Sequence, residues 1–179
     1  MSNRSDSKEM AQIARDDADD RADFATRFVV EQSAREVFDA INDVRGWWSR
    51  EIDGPTDQSG KEFIYRGKDS DLAHYHWSRI EVEELIPDEL VGWLVSENHL
   101  SFIDDQSEWR GTRIRFGIVA RDPGTELRFS HVGLVPAYEC FGVCSNAWGF
   151  FINQSLRNLI VTGEGQPIGG SSVHLTTQA

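Results

Sequence analysis

Apolar and polar residues alternate with a period of two through much of the chain, the spacing that sends successive side chains to opposite faces of a strand. The pattern predicts strands over 24–30, 62–66, 73–86, 90–102, 109–121 and 125–134. Pro87-Asp88-Glu89, Asp104-Asp105-Gln106 and Asp122-Pro123-Gly124 separate the later ones. Such short polar breaks suit hairpins in an antiparallel meander, whereas a parallel sheet would need helical crossovers that the pattern does not supply. A helical period takes over in two places. Ser33 stands three residues before Glu36, the spacing of a capping box, and Val37, Phe38 and Ile41 form the apolar face of a short helix before Gly46. A second short helix ends in Trp47-Trp48. Over 138–162, Phe141, Cys144, Trp148, Phe151, Ile152, Ser155 and Leu159 recur at helical spacing, Asn153, Gln154, Arg157 and Asn158 supply a polar side, and Gly163 sits where a glycine stop belongs. A strand, short helices, a run of antiparallel strands and a long helix that must lay its apolar face on the sheet make an α+β protein.

Composition bounds the rest. With 179 residues, of which 39% are apolar and which include six Trp, ten Phe and three Tyr, the chain has the length of one domain and the side chains to fill a sizeable interior. Residues 1–22 carry Asp16, Asp17, Asp19 and Asp20 and little that can be buried, so they are expected to be a flexible polar tail. Residues 163–179 hold four glycines, a proline and several Ser and Thr, and are expected to be a second flexible tail, leaving 23–162 as the folded body. Thirty acidic against 18 basic residues give a net charge of -12, the wrong sign for gripping nucleic acid or an anionic membrane surface. No stretch approaches the roughly 20 apolar residues of a membrane span, and the N-terminus has no apolar run like that of a signal peptide. The expectation is a soluble, cytoplasmic protein. Cys140 and Cys144, one helical turn apart, are expected to be reduced thiols.

Four strings carry a resemblance: Gly46-Trp47-Trp48; the run Val82 to Trp93 (VEELIPDELVGW); the run Gly124 to Leu134 (GTELRFSHVGL); and Trp148 to Leu156. In this order they resemble the helix-grip superfamily of the birch pollen allergen, the steroidogenic lipid-transfer domains and the polyketide cyclases. The nearer match is the branch of activator of heat-shock-protein-90 ATPase homologues. The resemblance implies a curved antiparallel sheet wrapped around a long C-terminal helix, with a cavity between them. It says less about activity, because that scaffold hosts carriers, cyclases, receptors and co-chaperone modules.

Alternation then selects the residues that face the gap. Ile114, Phe116 and Ile118 share one side of their strand, with Arg113, Arg115 and Val119 opposite; Leu127, Phe129 and His131 share the same side of the next. Trp148, Phe151 and Ile152 point at them from the helix, Trp47 and Trp48 close one mouth, Trp93 joins the lining, and His76, which alternates with His74, Ser78, Ile80 and Val82, lies either at the rim or on a solvent-exposed strand edge. The expected occupant is a small apolar or amphipathic molecule; the alternative is that these aromatics simply fill the core and leave a cavity too small for a ligand.

Chemistry beyond binding finds little support. No Gly-rich phosphate loop, Gly-x-Ser-x-Gly elbow or His-Glu-x-x-His string occurs, so no catalytic residue and no cofactor are assigned. Cys140 and Cys144 with His131 or His76 do not follow a known zinc spacing, and no metal is assigned. Glu83-Glu84, Asp104-Asp105 and Asp16-Asp17 are read as surface acids, since neighbours on a strand face opposite ways and turn acids are solvated. Two other readings remain: a co-chaperone-like module with a chaperone or homodimer contact, and a cyclase- or hydratase-like enzyme pairing His131 with Tyr138 or Glu84.

Overall fold

A computed structural model describes residues 22–68 and 75–169; His74, Asp16-Asp17 and positions 170–179 lie outside them. The strands are β1 Phe24–Val30, β2 Ile52–Asp53, β3 Glu62–Lys68, β4 Tyr75–Ile86, β5 Leu90–Leu100, β6 Arg113–Ala120 and β7 Thr125–Val132. They form one antiparallel sheet in the order β1-β7-β6-β5-β4-β3-β2. Two short helices, α1 (Ala34–Asn42) and α2 (Val44–Trp47), follow β1. A long C-terminal helix runs from α3 (Phe141–Phe150) through a π-helical turn (Phe151–Leu156) into α4 (Arg157–Thr162). This is the α+β helix-grip fold.

Local chemistry explains the joints. Ser33 caps α1 as its spacing predicts: its hydroxyl accepts from the Glu36 amide at 3.2 Å, and the Glu36 carboxylate accepts from the Ser33 amide at 2.8 Å. Val37, Phe38 and Ile41 are buried beneath it. Gly124 ends the β6–β7 turn at φ 89°, where a Cβ would lie 2.2 Å from the Val30 carbonyl oxygen, so only glycine lets the turn close against the end of β1.

The alternation holds on β6 and β7. Ile114, Phe116 and Ile118 are buried, as are Leu127, Phe129 and His131. Elsewhere the chain departs from its pattern. β2 is two residues long, too short for any period to register. The strand expected to begin at Trp109 begins at Arg113, because Gly111 turns the chain at φ 82°; Trp109 is still 6% exposed and reaches the core from the turn. Glu83 and Glu84 do not face opposite ways. Glu83 pairs with Arg113 at 2.8 Å and Glu84 with Arg115 at 3.2 Å, both on the outer face, because a register shift between Val82 and Glu84 lets two residues oppose one.

The C-terminal helix shows a related adjustment. Cys144, Trp148, Ile152, Leu156 and Ile160 are buried at steps of four residues, a spacing that drifts about 40° per step round an ordinary α-helix. The wider π turn in the middle takes up that drift and keeps the row on the sheet. Leu159, which ordinary helical spacing puts on the buried face, gives way to Ile160.

Past the expected boundary at Thr162 the chain turns at Gly163, φ 84°, and runs back along α2. Gln166 N–H donates to Ser155 Oγ at 2.6 Å, and Ile168 bridges Ser49 in parallel, its amide on the Trp48 carbonyl at 3.0 Å. Ser155 Oγ in turn donates to the Trp47 carbonyl at 2.7 Å, so one buried hydroxyl ties this strap to both the helix and the tryptophan pair.

Candidate functional site

The gap between sheet and helix is filled by rings. Trp47 N–H donates to the Ile41 carbonyl at 3.1 Å, which anchors it at the end of α1. Trp47, Trp48 and Trp93 stand nearly parallel, their centroids 6.0 to 6.4 Å apart, and Phe116 meets Trp93 edge-on at 4.9 Å. Phe129 continues the series to Trp148, at 4.8 Å, and Trp148 faces Trp109 at 5.9 Å. Close-packed rings in offset and edge-on contact leave little free volume. Trp47, Trp93, Ile114, Phe116, Ile118, Phe129, His131 and Ile152 all belong to this packed interior.

One pocket opens where the filling stops, between α3 and the ends of β3, β4 and β5. Its volume is about 90 Å³. Tyr65 and His76 form one wall, Leu100 and Phe102 a second, and Trp48 and Trp109 the floor side, while Val143, Cys144, Ala147, Trp148 and Phe151 close it from the helix. Thus four of the twelve residues expected to face the gap line the pocket: Trp48, His76, Trp148 and Phe151. Tyr65 was legible as the inward neighbour of Phe63 on β3. Trp109 was not, because its strand-like setting gives no sign that it enters the core from a turn.

The pocket's polar groups are few. Tyr65 Oη and His76 Nε2 lie 3.1 Å apart, and burial pushes the Tyr65 phenol up, so it stays protonated. Tyr65 stacks on Trp48 at 4.0 Å. The indole N–H groups of two lining tryptophans are turned away: Trp109 donates to Cys140 Sγ at 3.3 Å and Trp148 to His131 Nδ1 at 3.0 Å.

His131 is fully buried and committed to structure. Because Nδ1 accepts from Trp148, Nε2 carries the proton and donates to Thr112 Oγ1 at 2.8 Å, and Thr112 donates onward to the Trp109 carbonyl at 2.5 Å. Burial lowers its pKa to about 3, so the ring is neutral. Both nitrogens are spoken for, and Glu84, on the outer face with Arg115, is not brought to it. Among the described residues no three His, Cys, Asp or Glu side chains gather to hold a metal. The hydrogen bond with Cys144, with burial, pushes the Cys140 thiol up and keeps it from acting as a thiolate.

Among the described residues no helix is long and apolar enough to cross a membrane. No protein-family model matches the sequence, and no curated protein does. Solved structures share the fold. The Aha1 dimer from Colwellia psychrerythraea is 21% identical with a TM-score of 0.62, covering 80% of this chain and 99% of its own. An uncharacterised protein from Rhizobium leguminosarum is 14% identical with a TM-score of 0.60, over 80% of this chain and 95% of its own. DynU16, from the dynemicin biosynthetic locus, is 15% identical with a TM-score of 0.55, over 80% of this chain and 48% of its own. At these identities the likeness establishes the helix-grip architecture, with an Aha1 protein among its neighbours, and leaves activity to be argued from the site.

Proposed function

We propose that the chain is a non-enzymatic small-molecule-binding module whose apolar or amphipathic ligand sits in the pocket between α3 and the ends of β3 to β5. The observation that carries this reading is the pocket itself: aromatic and aliphatic walls around about 90 Å³, at the one end of the grip where the tryptophan packing stops. Drug-sized sites start at about 300 Å³, so the ligand, or the part of it that enters, is the size of a single ring or branched head. A protein of a biosynthetic locus has the same fold, which fits a small-molecule role.

Three tryptophans border the pocket, so their fluorescence reports occupancy. Titration with toluene is expected to shift that signal in a saturable way, and native mass spectrometry of the purified protein checks for retained cargo. Ala147→Phe places a ring at the pocket from a helix position that carries no core packing. The variant is expected to stay folded and lose toluene binding. Equal toluene binding by the folded variant refutes the pocket assignment, and a wild type that binds no apolar or amphipathic probe refutes small-molecule binding.

A second reading rests on α3, whose exposed side, at the pocket's edge, carries no charge on a chain of net charge -12. Val143 is 61% exposed and Phe150 36% exposed there. Such a face suits contact with another chain, and the Colwellia protein of the same fold is a dimer.

A further inference from the structure

Resting on the small-molecule reading above, we infer that the pocket takes a fully alkylated ammonium group, held by cation–π contact inside an aromatic cage. Six of its lining side chains are benzenoid or indole rings: Trp48, Tyr65, Phe102, Trp109, Trp148 and Phe151. Ring faces concentrated round a small volume are what a quaternary ammonium recognises, provided its charge comes within about 6 Å of the ring centroids.

The polar inventory excludes the other ligand charges. An anion needs donors, but among the described residues no Lys or Arg lines the pocket, the indole N–H groups of Trp109 and Trp148 are bonded to Cys140 and His131, and that of Trp48 is engaged with the Tyr65 hydroxyl. A primary ammonium or guanidinium needs an acceptor for each N–H, or it loses its hydration without compensation. Among the described residues the lining offers the Tyr65 and His76 pair, 3.1 Å from each other, and one thiol. An alkylated ammonium carries no N–H, is weakly hydrated for a cation and presents methyl groups to the rings.

The surrounding charge favours the same choice. Phe102 and Trp109 bracket a loop that carries Asp104, Asp105 and Glu108 against a single Arg110 beyond it, and Glu139 joins them by accepting from the Asp104 amide at 3.1 Å. None of these four acids forms an ion pair with Lys or Arg among the described residues. The carboxylates of Asp105, Glu108 and Glu139 bond backbone amides and Ser107 instead, which leaves the negative charge uncompensated beside the pocket. On a chain of net charge -12 this draws a cation to the opening and repels an anion.

The test compares choline with 3,3-dimethylbutan-1-ol, which has the same shape with carbon in place of the charged nitrogen, using tryptophan fluorescence and calorimetry on the full chain. Choline is expected to bind more tightly than the alcohol. Phe102→Leu, which keeps an apolar side chain but removes a ring, is expected to weaken choline about 2- to 30-fold and to leave the alcohol unchanged. Asp104→Asn, at an exposed position outside the packing, is expected to weaken choline at low salt only. Equal or tighter binding of the alcohol, or equal weakening of both by Phe102→Leu, overturns the cation assignment and leaves small-molecule binding standing. Binding of toluene with neither of the two does the same. If the folded protein binds none of the three, both the assignment and the reading beneath it fall.

Discussion

Acid sensitivity tests the buried histidine most directly. His131 has an ordinary pKa of 6.5 when the chain is unfolded and about 3 when folded, because desolvation disfavours the charged ring. Below 6.5 the unfolded chain takes up a proton that the folded one refuses. The neutral ring's contribution is therefore fully present above that value and is lost as pH falls from 6.5 towards 3. Each pH unit within the window costs about 1.4 kcal/mol, so about 2 kcal/mol disappears between about pH 7.5 and pH 5. That figure hardly depends on the folded value, provided it stays well below 5. Glu126, whose pKa the hydrogen bonds from Arg128 and Arg121 lower to about 2, loses its contribution only as pH falls below 4.5, so it does not enter the interval from about pH 7.5 to pH 5. Urea unfolding at pH 7.5, 6.5, 5.5 and 5 reads the slope in wild type and in His131→Gln. The wild type is expected to lose about 2 kcal/mol more over this range than the variant. Equal slopes would refute the buried neutral histidine.

Two further outcomes follow from the packing and the surface. Ser155→Ala removes the hydroxyl that joins Trp47 to Gln166; the cost is expected to be about 1–3 kcal/mol, with faster amide exchange at Gln166 and Ile168 while exchange on β6 and β7 rises only with the global loss. The uncharged outer face of α3 predicts association of two copies: light scattering is expected to give a mass that falls towards the monomer in Phe150→Asp, and a wild-type monomer at every concentration would remove that reading.

How much was legible in the sequence differs by element. A strand of eight residues with a buried face declares both its existence and its inner side, because a slip of one position would bury Arg113 and Arg115 and expose Ile114 and Phe116. The capping box of α1 is equally local, and the long helix is marked by its own period. β2 was not legible, nor was the bulge that puts Glu83 and Glu84 on one face, because both exist only through pairing with a neighbouring strand. The strap at 164–169 hangs on Ser155, a residue whose spacing marks burial but not its bonds.

The chain's own pattern determined the α+β order, the antiparallel sheet and which side of β6 and β7 meets the helix. Which of those inward residues pack solidly and which border open space was decided only in three dimensions. Free volume is the remainder after side chains from six or seven elements are summed, and no single segment contains that sum. So Phe116, Phe129 and His131 are interior, while Tyr65, from a strand, and Phe102 and Trp109, from turns, share a pocket with the helix.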